Sequence, residues 1–186
     1  MPSLHYADNR LGRVFSQTTT PLGLAIPIYT SVTPLGNVIW NPQGSFVLVE
    51  LVSYDAAHAS GTPAVFTAGL MVRRDTSAGT SIFSAFAATT PDNGYLFAGT
   101  ASKVQSSNAG TVTASAGAAG DFKRMFALAA NAVTDATAAS QPSIHHEFNG
   151  TIILPPGTAC YVAATLASVA LYGQTIVWKE IPITSP

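Results

Sequence analysis

Apolar and β-branched residues come in short runs separated by Pro, Gly, Asn and Ser, and the prolines punctuate the chain from end to end. Residues 46–54, FVLVELVSY, follow NPQGS, where Asn41-Pro42 and Gly44 turn the chain, and they predict the best-defined strand. Apolar side chains fall on both parities of this run, which predicts burial on both faces, in the middle of a sandwich or under a neighbouring subunit, and leaves the central Glu50 in need of a partner. The next run, 65–74, VFTAGLMVRR, lies beyond the turn ASGTP. It is expected to pair with the first as an antiparallel neighbour, bringing Arg73 or Arg74 toward Glu50. Further strands are predicted at 25–32, 37–41, 80–87, 95–99, 144–154, 158–166 and 174–181. Short strands with turns at close intervals read as an all-β sandwich or barrel rather than an α/β fold.

Between residues 104 and 140 the chain shifts to Ala, Gly, Ser, Thr and Asn, a composition that cannot build a core by itself. This segment is expected to be an insertion. Within it DFKRMFALAANAV predicts one short helix, with Asp121 in its first turn and Phe122, Met125, Phe126 and Ala129 on one face. Residues 1–24 read as an N-terminal arm or a first strand, with Arg10, Arg13, Leu11, Val14 and Phe15 available to a neighbour in the arm reading. Residues 25–186 read as a single domain.

Composition then narrows the partners. Charged residues are 9% of the 186, and small polar and apolar types stand where charges usually lie. A soluble monomer keeps a mixed charged surface, so this chain is expected to be a subunit that covers much of its surface with other proteins. The net charge of -1 supplies no basic field for phosphates, which sets nucleic acid aside. The start, MPSLHYADNR, lacks the basic and apolar regions of a secretion signal, so synthesis and release in the cytosol are expected. Residues 159–178 carry no charge over a length that could span a bilayer. Their mild hydropathy, the break at Gly173-Gln174-Thr175 and the preceding LPPG turn argue against a membrane span.

The chemistry-bearing stretch is HHEFNGTIILPPGTACYVAATL, 145–166. His145, His146 and Glu147 form the H-x-E half of a zinc deaminase motif whose P-C-x-x-C half is missing. Adjacent histidines on a strand point to opposite faces, and His145 with Glu147 makes two ligands where a structural zinc takes four, unless His5 or His58 joins from afar. LPPGT resembles the turn of cupins only in outline, without their histidine spacing. The stretch therefore reads as strand, turn, strand. Asn149-Gly150 makes a bend, Pro155-Pro156-Gly157 a tight connection, and Cys160, Val162 and Ala164 line one face, with Cys160 a small strand hydrophobe. Asp55 and His58 have no nucleophile beside them, and Asp92-Asn93-Gly94 reads as a loop or hairpin turn. Trp178 reads as core or interface rather than a sugar platform, and Trp40 belongs to the same consideration. No catalytic, cofactor-binding or metal-binding residue is assigned, and no enzymatic activity is expected.

Residues 38–75, VIWNPQGSFVLVELVSYDAAHASGTPAVFTAGLMVRRD, with their Trp-Asn-Pro-x-Gly-Ser and Ser-Gly-Thr-Pro turns, resemble structural proteins of tailed bacteriophages. GTIILPPGTACYVAATLAS resembles the closing strands of the same small jelly-roll proteins. The resemblance implies an antiparallel jelly-roll-like β-sandwich that sits on the virion. It implies a capsid decoration or cement protein, assembling as a homotrimer and bridging major capsid protein subunits at the capsid surface. A tail-fibre, head-fibre or baseplate domain binding host glycans is the second reading, and a cupin-like jelly-roll enzyme the third.

Overall fold

The computed structural model describes residues 8–9, 11–31, 36–62, 66–74, 83–95, 101–108, 112–114, 121–128, 143–167 and 169–183. Its strands are β1 (Val14–Thr18), β2 (Leu24–Ala25), β3 (Val38–Asn41), β4 (Val47–Ser60), β5 (Phe66–Arg74), β6 (Phe83–Ala85) and β7 (Asp92–Asn93). They continue as β8 (Gln105–Ser107), β9 (Thr113–Ala114), β10 (Asp121–Leu128), β11 (Ser143–Glu147), β12 (Ile153–Leu154), β13 (Thr158–Ala164) and β14 (Leu171–Pro182). One sheet runs β11-β4-β14-β1-β7, with β12 added to β4 and β2 to β14. The second runs β10-β5-β13-β3-β8, and β6 and β9 form a separate pair. The long strands pair antiparallel throughout.

Without the short strands β2, β7, β8 and β12, each sheet has four strands. The chain winds between them so that β1, β4, β11 and β14 face β3, β5, β10 and β13. That order is the double Greek key of a jelly roll, so the all-β sandwich expected from the turn spacing is the fold. It also places the turns. Residues 42–46 and 155–157, the start of β1 and the end of β14 lie at one end, where Val47 pairs with Pro182 and Thr158 with both Asn41 and Arg74.

Alternation builds the core. In β14, Tyr172, Gln174, Ile176, Trp178 and Glu180 point inward while their neighbours are half-exposed. Trp178 stacks on Phe15 with ring centroids 6.1 Å apart, and both are buried among Val49, Leu51, Leu70 and Val162. The inward Gln174 is satisfied by Tyr54, whose hydroxyl donates to its Oε1 at 3.1 Å, and by donating from Nε2 to the Leu24 carbonyl at 3.1 Å.

In β13 every residue is buried. Cys160, Val162 and Ala164 face the inter-sheet core, as the spacing predicts. Ala159, Tyr161 and Ala163 face a second apolar cluster with Val38, Met71, Phe83 and Val112 on the other side of the same sheet. The excursion between β5 and β10 supplies that cover.

Several expectations are corrected. Within the single chain, burial on both faces belongs to β13 and not to β4, whose pattern alternates: Val47, Val49 and Leu51 are buried, and Leu48, Glu50 and Val52 are half-exposed. β5 does not pair with β4, because the chain crosses from one sheet to the other between them, as jelly-roll winding requires. Glu50 consequently meets neither Arg73 nor Arg74. Its partner is Lys179, opposite it on β14, with Nζ 2.8 Å from Glu50 Oε2 and 3.2 Å from Asp8 Oδ2. Partial burial alone would lower the Lys179 pKa, but hydrogen bonds and charge from Glu50 and Asp8 outweigh it and raise the value.

The helix expected from Asp121 onward is a strand over Asp121–Leu128, paired along β5 with an irregularity between Phe122 and Arg124. Two helical turns are marginal alone, whereas the open edge of β5 offers a full ladder of backbone partners. Ala129 and the rest of the expected helix lie outside the described residues. So 104–140 is not one insertion, since β10 within it is a sheet strand. Of the predicted strand 95–99 only Tyr95 is described, and the 25–32 prediction survives as Leu24–Ala25 with a single bridge from Ile28 to Ala164. Residues 159–178 divide between β13 and β14 in different sheets, and no helix among the described residues is long and apolar enough to cross a membrane.

Candidate functional site

The end of the sandwich that carries turns 42–46 and 155–157 is organised around Asn41, which is fully buried. Its Nδ2 donates to the carbonyls of Val47 at 2.9 Å and Leu154 at 3.0 Å, and its Oδ1 accepts from Ser45 Oγ at 2.6 Å. Its own carbonyl accepts the Gly157 N–H at 2.8 Å. One side chain thus ties both turns together. Gly44 adopts a left-handed backbone, φ 81°, which needs no Cβ relief.

Phe46 is different. It also sits in the left-handed region, at φ 57°, yet it carries a large side chain that is 73% exposed. Such a conformation costs roughly 1–2 kcal/mol in a residue with a Cβ and persists because the surroundings impose it. Here Asn41 fixes the preceding turn, and the Phe46 carbonyl accepts the Ile183 N–H at 2.9 Å. Beneath the ring lies a cleft of about 610 Å³ walled by Leu11, Phe15, Pro42 and Pro182, with Arg13, Lys103 and Glu180 among its lining residues. Glu180 is buried and fully engaged: Lys103 N–H donates to Oε2 at 2.9 Å, and Oε1 accepts from Ser102 Oγ and from Trp178 Nε1 at 3.3 Å. A backbone-locked aromatic beside an apolar cleft has the composition of an interface anchor.

Val14–Thr18, from the segment expected to be an arm or a first strand, form a strand of the sheet between β14 and β7. Phe15 is therefore core and not free for a neighbour, while Leu11 is exposed. Arg10 and His5 lie outside the described residues.

The histidine stretch divides as its parity predicts. His145 points outward from β11, with Nδ1 2.5 Å from Asp55 Oδ1 on β4 and Nε2 3.6 Å from Glu147 Oε1. The Asp55 hydrogen bond and charge raise its pKa above the ordinary 6.5. His146 faces the other way, edge-on to Phe148 with centroids 5.0 Å apart, and burial lowers its pKa. His58 lies apart, its Nε2 2.9 Å from the Gly61 carbonyl. The carboxylate that sequence reading set beside His58, Asp55, belongs to His145 instead. This pair is open to water, and among the described residues no group of three or more His, Cys, Asp or Glu is placed to hold a metal ion.

Cys160 is buried, and burial pushes its thiol pKa far above the usual range. Trp178 is core, and Trp40 is half-buried against Phe83 and Phe86. Asp92-Asn93 form the edge strand β7, with Asn93 Oδ1 accepting the Tyr95 N–H at 2.8 Å. Sequence reading missed Asn41 as a hub, Phe46 as a strained anchor and Glu180 as an inward charge. The last was available from period-two counting outward from Trp178. No protein-family model, curated protein or solved structure matches this chain.

Proposed function

We propose that this protein is a structural component of a virion, a capsid decoration protein that associates as a trimer and bridges neighbouring major capsid subunits. The observation that carries the reading is Phe46: a bulky apolar side chain held in a costly backbone conformation, exposed above an apolar cleft, at an end braced by Asn41. Strain of this kind clusters at functional sites, and a protein partner is what an exposed aromatic anchor serves. The jelly-roll winding and the scarcity of charge support the same reading. The mechanism is mechanical. Copies seated across local symmetry axes add their contacts to those of the shell, so that outward pressure has to break both. Coupling of folding to assembly would also raise the apparent stability of each copy.

The test is absolute mass by light scattering after size exclusion, combined with co-sedimentation on shells of the phage that encodes the protein. The wild type is expected at about three times 19.2 kDa and bound to shells, and Phe46→Asp at the monomer mass and unbound. A wild type that stays monomeric and does not sediment with shells overturns the proposal.

A further inference from the structure

The cleft beside Phe46 leaves a charge unanswered. Arg13 and Lys103 line it, and Glu180 is the one carboxylate among its lining residues. Glu180 lies across the ladder from Arg13, its N–H donating to the Arg13 carbonyl at 2.9 Å. Its carboxylate is nonetheless taken up by Ser102, the Lys103 N–H and Trp178, and no ion pair joins it to either cation. Two cations against one carboxylate leave the cleft with one net positive charge.

Most other charges are already matched. Arg73, Lys123, Arg124 and Lys179 are engaged, which leaves Arg13, Arg74 and Lys103 as the unpaired cations among the described side chains. On the acidic side, Asp8 and Glu50 share Lys179, Asp55 and Glu147 flank His145, and Glu180 holds its three donors. Among the described side chains, Asp92 is the carboxylate left without a partner.

Asp92 stands on the edge strand β7, exposed, opposite Ser16 of β1. The turn behind it is fixed by Gly94 N–H on the Val14 carbonyl at 2.8 Å and by Asn93 Oδ1 on the Tyr95 N–H. It presents Tyr95, 46% exposed, close to the unpaired acid. Asp92 shares the face of Ser16, and Arg13 has the opposite parity along the same strand direction, so the two point away from each other within one copy.

We infer that the 92–95 turn of one copy seats in the Phe46 cleft of the next, with the Asp92 carboxylate on Arg13 and the Tyr95 ring against Leu11, Pro42 and Phe46. Charge complementarity selects the occupant: the cleft is positive by one, and the same chain displays one unpaired carboxylate beside an exposed aromatic. Socket and plug are different patches, which makes the contact heterologous, the kind that closes a ring of three. The inference rests on reading the protein as a trimer anchored at Phe46, and it supplies the surface that Phe46 meets.

The test is a charge exchange, read as mass by light scattering over a dilution series. Asp92→Arg and Arg13→Glu are each expected to raise the midpoint for trimer dissociation at least about tenfold, and the double variant to recover most of that loss. Asp92→Arg lies on an exposed edge and should keep the wild-type circular dichroism, so its loss of mass reports assembly. Arg74→Glu, which reverses an unpaired cation outside the cleft, should shift the midpoint less than about twofold. A wild-type trimer indifferent to Asp92→Arg, or a double variant no better than the singles, overturns the inference while leaving the Phe46 trimer in place. Unchanged mass with lost shell binding in Arg13→Glu gives the cleft to the shell subunit instead and likewise overturns it. A wild type that is monomeric throughout overturns both.

Discussion

If Phe46 is held in the left-handed region, the usual ranking of glycine and alanine reverses at that position. At an ordinary site alanine is more stable than glycine by about 0.5–1 kcal/mol, because glycine loses more chain entropy on folding. At φ 57° alanine retains the clash of a Cβ with its own backbone, about 1–2 kcal/mol, and glycine does not. The difference leaves Phe46→Gly more stable than Phe46→Ala by about 0.5–1 kcal/mol. Relative to wild type, both lose the little that the ring buries. With 73% of the residue exposed, that is roughly a quarter of the 1.5–3 kcal/mol for a fully buried aromatic. Phe46→Gly should therefore stay within about 1 kcal/mol of wild type and Phe46→Ala should fall below both. Urea denaturation of the three proteins, compared at equal m-value, measures this directly, and for a domain of this length each kcal/mol moves Tm by about 2–4 °C. Alanine equal to or more stable than glycine would show that the backbone at 46 is not left-handed, and the argument from strain to function would go with it.

Asn41→Ala should destabilise by at least about 2 kcal/mol in the same assay, since it strips a donor from two carbonyls and a partner from Ser45 at about 1–3 kcal/mol per unpaired group. A near-neutral result would mean that water replaces it. A Cβ at Gly69 would stand 2.8 Å from the Arg124 carbonyl and 2.7 Å from Phe122 Cδ1, so Gly69→Ala should destabilise by about 1–3 kcal/mol. No change in melting temperature would say that β10 does not lie on β5. His145 should titrate above 6.5 by NMR in the wild type and return toward that value in Asp55→Asn. Because its folded pKa is raised, any stability it lends to the β11–β4 pairing is fully present below 6.5 and lost as pH rises through the raised value. A wild-type midpoint at or below 6.5 would refute the Asp55 contact.

What could be read in the sequence was local. Turn chemistry at Asn41-Pro42 and Gly44 placed the start of β4, and parity alone separated His145 from His146 and put Cys160, Val162 and Ala164 on the core face. What could not be read depends on which strands meet. Chain neighbours are expected to be sheet neighbours, but jelly-roll winding sends β4 and β5 to opposite sheets, so Glu50 finds Lys179 from the far end of the chain. Phe122, Met125 and Phe126 fit a helical face as well as a strand, and only the open edge of β5 decides between them. The second cluster over β13 draws Phe83 from the strand predicted at 80–87, but Val112 lies among small side chains that gave no periodic signal, so the cover as a whole could not be read. Phe46 read as the first residue of a strand, because φ is imposed by the hydrogen bonds of Asn41 and Ile183 and leaves no mark in residue type.

The position of β14 between β4 and β1 sets a limit on how the molecule can be made. A ribosome delivers β1 and β4 long before β14, so the strand that joins them is the last of the sheet to appear. Until then both carry unpaired edges, and Phe15 lacks the Trp178 ring it stacks on. Folding of this sheet must therefore wait for β14, is dominated by contacts between distant parts of the chain, and is slow by the standards of local topologies. Nascent chains would stay open to aggregation or chaperone capture until that strand is made. Ribosomes stalled ahead of residue 171 should hold chains that remain protease-sensitive throughout this sheet.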